Sequence, residues 1–167
     1  MPQTAWQDMI DVNLTGVWNT VRASTPHIIR GGRGGSIVVI SSQNGLVGAP
    51  MFAHYVAAKH GVIGLVRAIA LEFANDLIRV NAVLPGGVDT DMIRHFDGIM
   101  TTSVRYVGPG AEQSARNFPV PANMLHPADI SDAVLFLASD EAKHMTGSLI
   151  SVDGHSLIRA ASEFAGA

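Results

Sequence analysis

Tyr55 and Lys59 lie four residues apart in a stretch with helical patterning, so both side chains project from one side of a helix. A phenol with an unperturbed pKa near ~10 is a poor base at neutral pH, but a neighbouring ammonium favours phenolate and lowers that value. The pair therefore has the make-up of a general acid/base. Ser41-Ser42 closes one apolar run and Pro85-Gly86-Gly87 closes another. A serine hydroxyl beside the phenol would hold and polarise a substrate carbonyl or alcohol oxygen. Taken singly, each feature has an ordinary explanation. A lone Tyr-x-x-x-Lys arises by chance in roughly a quarter of chains this long. Ser-Ser after a strand is often a helix cap, Pro-Gly is often only a turn, and Asn13 in an apolar stripe is more often a satisfied core amide. The seven histidines lack metal-ligand spacing and are expected on the surface or in loops.

These residues need elements to position them. Apolar residues at Trp6, Ile10, Leu14, Val17 and Val21 predict a helix from Thr4, its cap, to about Ile29. Glycines 31, 32, 34 and 35 break it, and Ser36 to Ile40 is a short β-branched run suited to a strand covered on both faces. A second helix is expected from about His54 to Ala74, apolar nearly all round and so buried nearly all round. Arg79 to Leu84 follows as a strand. From Val88 to Pro127 periodicity is lost, an excursion of the size usually given to lids or binding loops. A helix from Pro127 or Ala128 to Ala138 and a strand from Leu149 to Val152 precede a polar, mobile end. Strands alternating with helices imply α/β architecture with a parallel sheet. In such sheets ligands bind outside the carboxyl ends of the strands, where Ser42 and Pro85-Gly86 fall.

Composition narrows the partners. The chain has 167 residues, 47% apolar and only 15% charged, with a formal net charge of −3 and no cysteine. That suits one globular domain and excludes a disulfide framework or thiolate zinc site. Eleven scattered basic residues argue against nucleic acid. The polar, acidic start MPQTAWQDMIDVN is not a signal peptide, and no run is long and apolar enough for a membrane span, so a cytoplasmic location is expected.

The joint pattern is far more specific than its parts. DVNLTGVW followed by GGSIVVISSQNGLVGAPMFAHYVAAKHGVIGLVRAIALEFANDLIRVNAVLPGGVDT resembles the catalytic half of a short-chain dehydrogenase/reductase, with Asn13, Ser42, Tyr55, Lys59 and Pro85-Gly86 in the family's order and spacing. GGRGGS, HYVAAKHG, PGGVDT, FPVP and DISDAVLFLASDEA are similar to the actinobacterial carveol-dehydrogenase-like, mycofactocin-coupled branch. The resemblance implies a Rossmann-like three-layer fold and hydride transfer between NAD, or NADP, and a secondary alcohol or ketone. It implies Tyr55 as acid/base, Lys59 on the nicotinamide ribose, Ser42 on the substrate oxygen and Asn13 holding a water. It also implies Pro85, Gly86, Val88 and Thr90 along the nicotinamide, residues 88–126 as a substrate lid, and helices that pair subunits into a dimer or tetramer.

The resemblance also exposes a departure. Family members open with a strand, a T-G-x-x-x-G-x-G turn and a helix, and none of these occurs here. Gly31 to Gly35 follows a helix and precedes a strand, the reverse of the context a dinucleotide fingerprint requires. Residues 1–167 are therefore expected to form a single partial domain, truncated by the loss of its first strands and Gly-rich nucleotide loop, with the edge of Ser36 to Ile40 left open. Two functions remain: the catalytic portion of an oxidoreductase whose missing half is supplied in trans or is encoded in frame upstream of a misassigned start, or an inactive remnant that serves at most as an interaction module and pairs with an intact paralogue.

Overall fold

The computed structural model describes residues 1–91 and 125–154. Among these residues three parallel strands, β1 (Gly35–Ile40), β2 (Ile78–Pro85) and β3 (Leu149–Val152), lie in that spatial order. The first of the helices, α1 (Gln3–Ile10), continues through a π-helical turn, Asp11–Thr15, into α2 (Gly16–Gly31). Helix α3 (Ala53–Glu72) connects β1 to β2, and α4 (Pro127–Ala138) precedes β3.

Alternation along the strands sorts side chains into two layers. On β2, Ile78, Val80, Ala82 and Leu84 join Ile37 and Val39 of β1 against Val21 of α2 and Val62, Val66 and Ile69 of α3. Val83 and Val38 point the other way, onto Ile130, Val134 and Leu137 of α4. Both faces of the sheet are thus covered, which is why the strands are β-branched runs and not half-polar ones. The α/β three-layer arrangement expected from the sequence is present.

Three local expectations are corrected. Helix α1 begins at Gln3 after Pro2, with no side-chain cap, so Thr4 lies inside its first turn. The helix from there to Gly31 is interrupted by the π turn, which inserts an extra residue per turn and has no signature in apolar spacing. Helix α3 is buried on only one side. Ala57, Gly64, Ala68 and Leu71 face outward, Leu71 at 81% exposure, because no described element packs over that side. At the end of α2, Gly32 takes the left-handed conformation (φ 66°) and its N–H caps Ile29 O, so this glycine cluster stops a helix and does not open one. Leu149–Val152 is the predicted final strand; the predicted mobile end lies outside the described residues.

Candidate active site

Ser42 follows the carboxyl end of β1, where the chain leaves the sheet and turns through a 3₁₀ helix, Gln43–Gly45. Its Oγ accepts from Asn44 N–H at 3.1 Å, which orients the oxygen and leaves its own O–H free to donate. The turn is pressed onto α3. A Cβ on Gly45 would lie 2.9 Å from Lys59 O and 2.6 Å from Ile63 Cδ1, so only glycine permits this approach. Ser41 Oγ donates to Lys59 O at 3.3 Å across the same contact. The loop that carries Ser42 is thereby fastened to the helix that carries Tyr55 and Lys59.

On α3, Lys59 Nζ stands 5.5 Å from the centroid of the Tyr55 ring, within the range of a cation–π contact. The lysine is 8% exposed, and its one hydrogen bond among the described residues is a long one, 3.4 Å to Ile40 O. An ammonium has three donors, so this one holds unused hydrogen-bonding capacity at the end of β1. Burial pushes the Lys59 pKa below its ordinary 10.5 because desolvation penalises the charged form. The Tyr55 hydroxyl likewise makes no hydrogen bond to any described residue, and its ring is half-buried.

A pH dependence of stability follows from the lysine. Below its depressed folded pKa, Lys59 is charged in both states and the folded state carries the whole desolvation cost. Between that value and 10.5 the unfolded chain binds more protons than the folded one, so stability rises with pH across this window. Urea midpoints measured across the window should rise for the parent relative to Lys59→Met, and parallel profiles would contradict the assignment.

Asn13 sits in the π turn. Its Nδ2 donates to Met9 O at 3.2 Å and contacts Met9 Sδ at 3.0 Å, so the side-chain amide is occupied within its own helix. The next residue, Leu14, lies over Gly61 of α3, which brings the π turn against the helix bearing Tyr55 and Lys59. Pro85 ends β2, and Gly86 N–H donates to Val152 O of β3 at 2.9 Å. A Cβ on Gly86 would stand 2.8 Å from Asp153 Cα and 3.0 Å from Asp153 O, and backbone atoms cannot rotate away. Gly86→Ala is accordingly expected to lower stability by roughly 1–3 kcal/mol and to speed amide exchange in β3, as urea unfolding with hydrogen exchange will show. Val88 pairs with Leu125 in a bridge, and Thr90 Oγ1 donates to Val88 O at 3.4 Å. Asn13, Ser42, Tyr55, Lys59, Pro85 and Gly86 thus fall on segments gathered around α3 and the carboxyl ends of β1 and β2. Most of the predicted lid at 88–126 lies outside the described residues.

Two polar atoms beside this centre escaped the sequence reading. Gln43 Oε1 and His54 Nδ1 are buried without a hydrogen-bond partner among the described residues, and they flank Ser42 and Tyr55 directly in the chain. His54 is half-buried in α3, not a surface or loop histidine; its position next to Tyr55 was the available signal. His126 has a structural task, its Nδ1 accepting from Ala128 N–H at 3.3 Å to cap α4. Among the described residues no cluster of His, Asp or Glu is placed to hold a metal ion, and no helix is long and apolar enough to cross a membrane.

Comparison with known proteins decides the family. A family model described as Enoyl-(Acyl carrier protein) reductase matches residues 1–154. The (-)-trans-carveol dehydrogenase of Rhodococcus erythropolis is 42% identical over 163 residues, covering 95% of this chain and 59% of its own length. The chain belongs to the short-chain dehydrogenase/reductase family. Among solved structures, carveol dehydrogenase from Mycobacterium avium in complex with NAD superposes with a TM-score of 0.83 at 48% identity, covering 95% of this chain and 58% of that one. A short chain dehydrogenase from Mycobacterium paratuberculosis bound to NAD gives 0.77 at 40% identity, covering 92% and 56%. The chain therefore spans less than two thirds of the length of these family members.

Proposed function

We propose that this short-chain dehydrogenase/reductase chain carries the catalytic centre of an oxidoreductase that interconverts a secondary alcohol and a ketone with NAD. One observation carries the reading: a buried lysine ammonium with spare donors beside a half-buried tyrosine, on a helix to which the serine loop is fastened. The donor set fits a nicotinamide nucleotide, since ribose hydroxyls would accept from the two N–H groups that Lys59 leaves unused. When bound, the nicotinamide supplies the hydride acceptor or donor. Lys59 holds the ribose, Ser42 donates to the substrate oxygen, and Tyr55 exchanges a proton with that oxygen. Pro85, Gly86, Val88 and Thr90 line the nicotinamide, and Asn13 serves the solvent side of Lys59.

The same reading makes residues 1–167 one domain with 88–126 as lid. It places the protein in the mycofactocin-coupled branch, in the cytoplasm, as a dimer or tetramer that takes small-molecule alcohols or ketones. The two NAD-bound solved structures support NAD over NADP, and the carveol dehydrogenases support a secondary alcohol of carveol's kind. A second reading, an interaction module without turnover, is favoured by the edge of β1 that pairs with no strand among the described residues.

Titration with NADH, NADPH and NAD, followed by alcohol-dependent NAD reduction over a panel of secondary alcohols, separates the two. The protein is assayed alone and fused to the two-fifths of the Rhodococcus dehydrogenase that it does not match. Saturable nucleotide binding with turnover is expected of the fusion. Nucleotide binding with no turnover of any alcohol would overturn the oxidoreductase reading.

A further inference from the structure

Among the described residues no carboxylate pairs with Lys59: its one hydrogen bond runs 3.4 Å to Ile40 O, and burial is the cause of its lowered pKa. A buried charge without a partner is costly, and a lysine avoids that penalty by giving up its proton. What remains is a neutral amine with a lone pair, the form of lysine that adds to a carbonyl carbon.

The surroundings supply what else that addition needs. Tyr55, one helical turn earlier on α3, presents its ring 5.5 Å from Nζ. Its hydroxyl makes no hydrogen bond to any described residue, so the phenol is free to pass a proton to and from a group bonded to Nζ. The ring is half-buried, which gives a small molecule its approach to the amine from that side. Ser42 keeps its O–H free to donate, on the loop that Ser41 Oγ fastens to Lys59 O, and is available to polarise a carbonyl oxygen.

We propose that, when no nucleotide occupies the site, Lys59 condenses with small aldehydes and ketones to form an imine, with Tyr55 carrying the proton. Nζ adds to the carbonyl carbon as the C=O π pair moves to oxygen, and one N–H proton passes to that oxygen through the phenol, giving a neutral carbinolamine. The phenol then protonates the hydroxyl, the C–O bond breaks with loss of water and the nitrogen lone pair forms C=N. The phenolate takes back the remaining N–H proton. One amine and one carbonyl give one imine and one water, with no oxidant or reductant consumed. This activity goes beyond the alcohol–ketone exchange proposed above and does not depend on it. A ribose held by Lys59 would occupy the same nitrogen, so nucleotide and carbonyl compete for it.

The test incubates the full chain at neutral pH with cyclohexanone and sodium cyanoborohydride, which reduces an imine to a stable secondary amine, and locates the cyclohexyl group by peptide mass spectrometry. Lys143, the other lysine of the chain, is exposed and serves as the internal control. Lys59 is expected to be alkylated at least about tenfold faster than Lys143. Lys59→Met should leave labelling at Lys143 alone. Tyr55→Phe keeps the amine and removes the proton carrier, so it should slow alkylation of Lys59 by about tenfold or more and leave that of Lys143 unchanged. Equal labelling of the two lysines in the parent, labelling of Lys143 alone, or Lys59 labelling that Tyr55→Phe leaves unchanged would overturn the proposal. Excess NADH should protect Lys59. Selective labelling of Lys59 that NADH does not suppress would uphold the imine site and count only against the ribose contact of the oxidoreductase reading.

Discussion

Replacing Tyr55 by phenylalanine is expected to lower alcohol-dependent NAD reduction by on the order of 10²–10⁴-fold, the range for loss of a positioned acid/base. NADH affinity should stay within about threefold of the parent. The reason for this split lies in what the substitution leaves behind. The ring stays, and with it the face that Lys59 Nζ approaches at 5.5 Å. The deleted oxygen has no hydrogen-bond partner among the described residues, so no buried group is orphaned, and stability should change by no more than about 0.5 kcal/mol. Lys59, which would hold the ribose, is untouched. The comparison is made in the nucleotide-binding fusion, by steady-state kinetics with NADH titration. Retained turnover would remove Tyr55 from the chemistry, and a parallel loss of NADH binding would mark a structural effect instead.

Asn81→Leu is expected to cost on the order of 1–3 kcal/mol, because it leaves the part-buried Ser148 N–H without its acceptor and Met145 O with only the long contact to Arg79 Nη1 at 3.4 Å. Asn81 is completely buried in the middle of β2. Its Nδ2 donates to Met145 O at 2.8 Å and its Oδ1 accepts from Ser148 N–H at 3.0 Å. Leucine keeps the branched shape, with methyls in place of the amide oxygen and nitrogen, but supplies neither bond. The damage should concentrate at β3, whose entry turn Asn81 holds from inside the sheet, and β3 in turn receives Gly86 N–H through Val152 O. A urea midpoint that falls together with selective loss of amide protection at 148–152 is the expected signature. A uniform loss across the sheet would mean that Asn81 contributes packing alone.

Much of the architecture was legible because short-range periodicity carries it. The strands at Gly35–Ile40, Ile78–Pro85 and Leu149–Val152 lie within a residue or so of the β-branched runs that predicted them. Helix α4 begins at Pro127, whose missing N–H costs nothing in a first turn. Other features left no trace in local spacing. The π turn at Asp11–Thr15 is a change of hydrogen-bond register within one continuous apolar stripe, and composition does not distinguish the two registers. His54 passed for a surface residue because burial of one ring nitrogen depends on what packs beside α3. The outward side of α3 passed for core because Leu71 and its neighbours are as apolar as a buried stripe.

The sequence by itself determined the element order, the parallel α/β class and the spacing of the tyrosine and lysine to which the proposed chemistry is assigned, since side-chain type and a four-residue helical offset are local properties. Tertiary structure alone decided that Gly45 lets the Ser42 loop touch α3 and that Lys59 is desolvated with one weak acceptor. These are contacts between segments distant in the chain. Their distances depend on how close two backbones come, and no single segment encodes that approach.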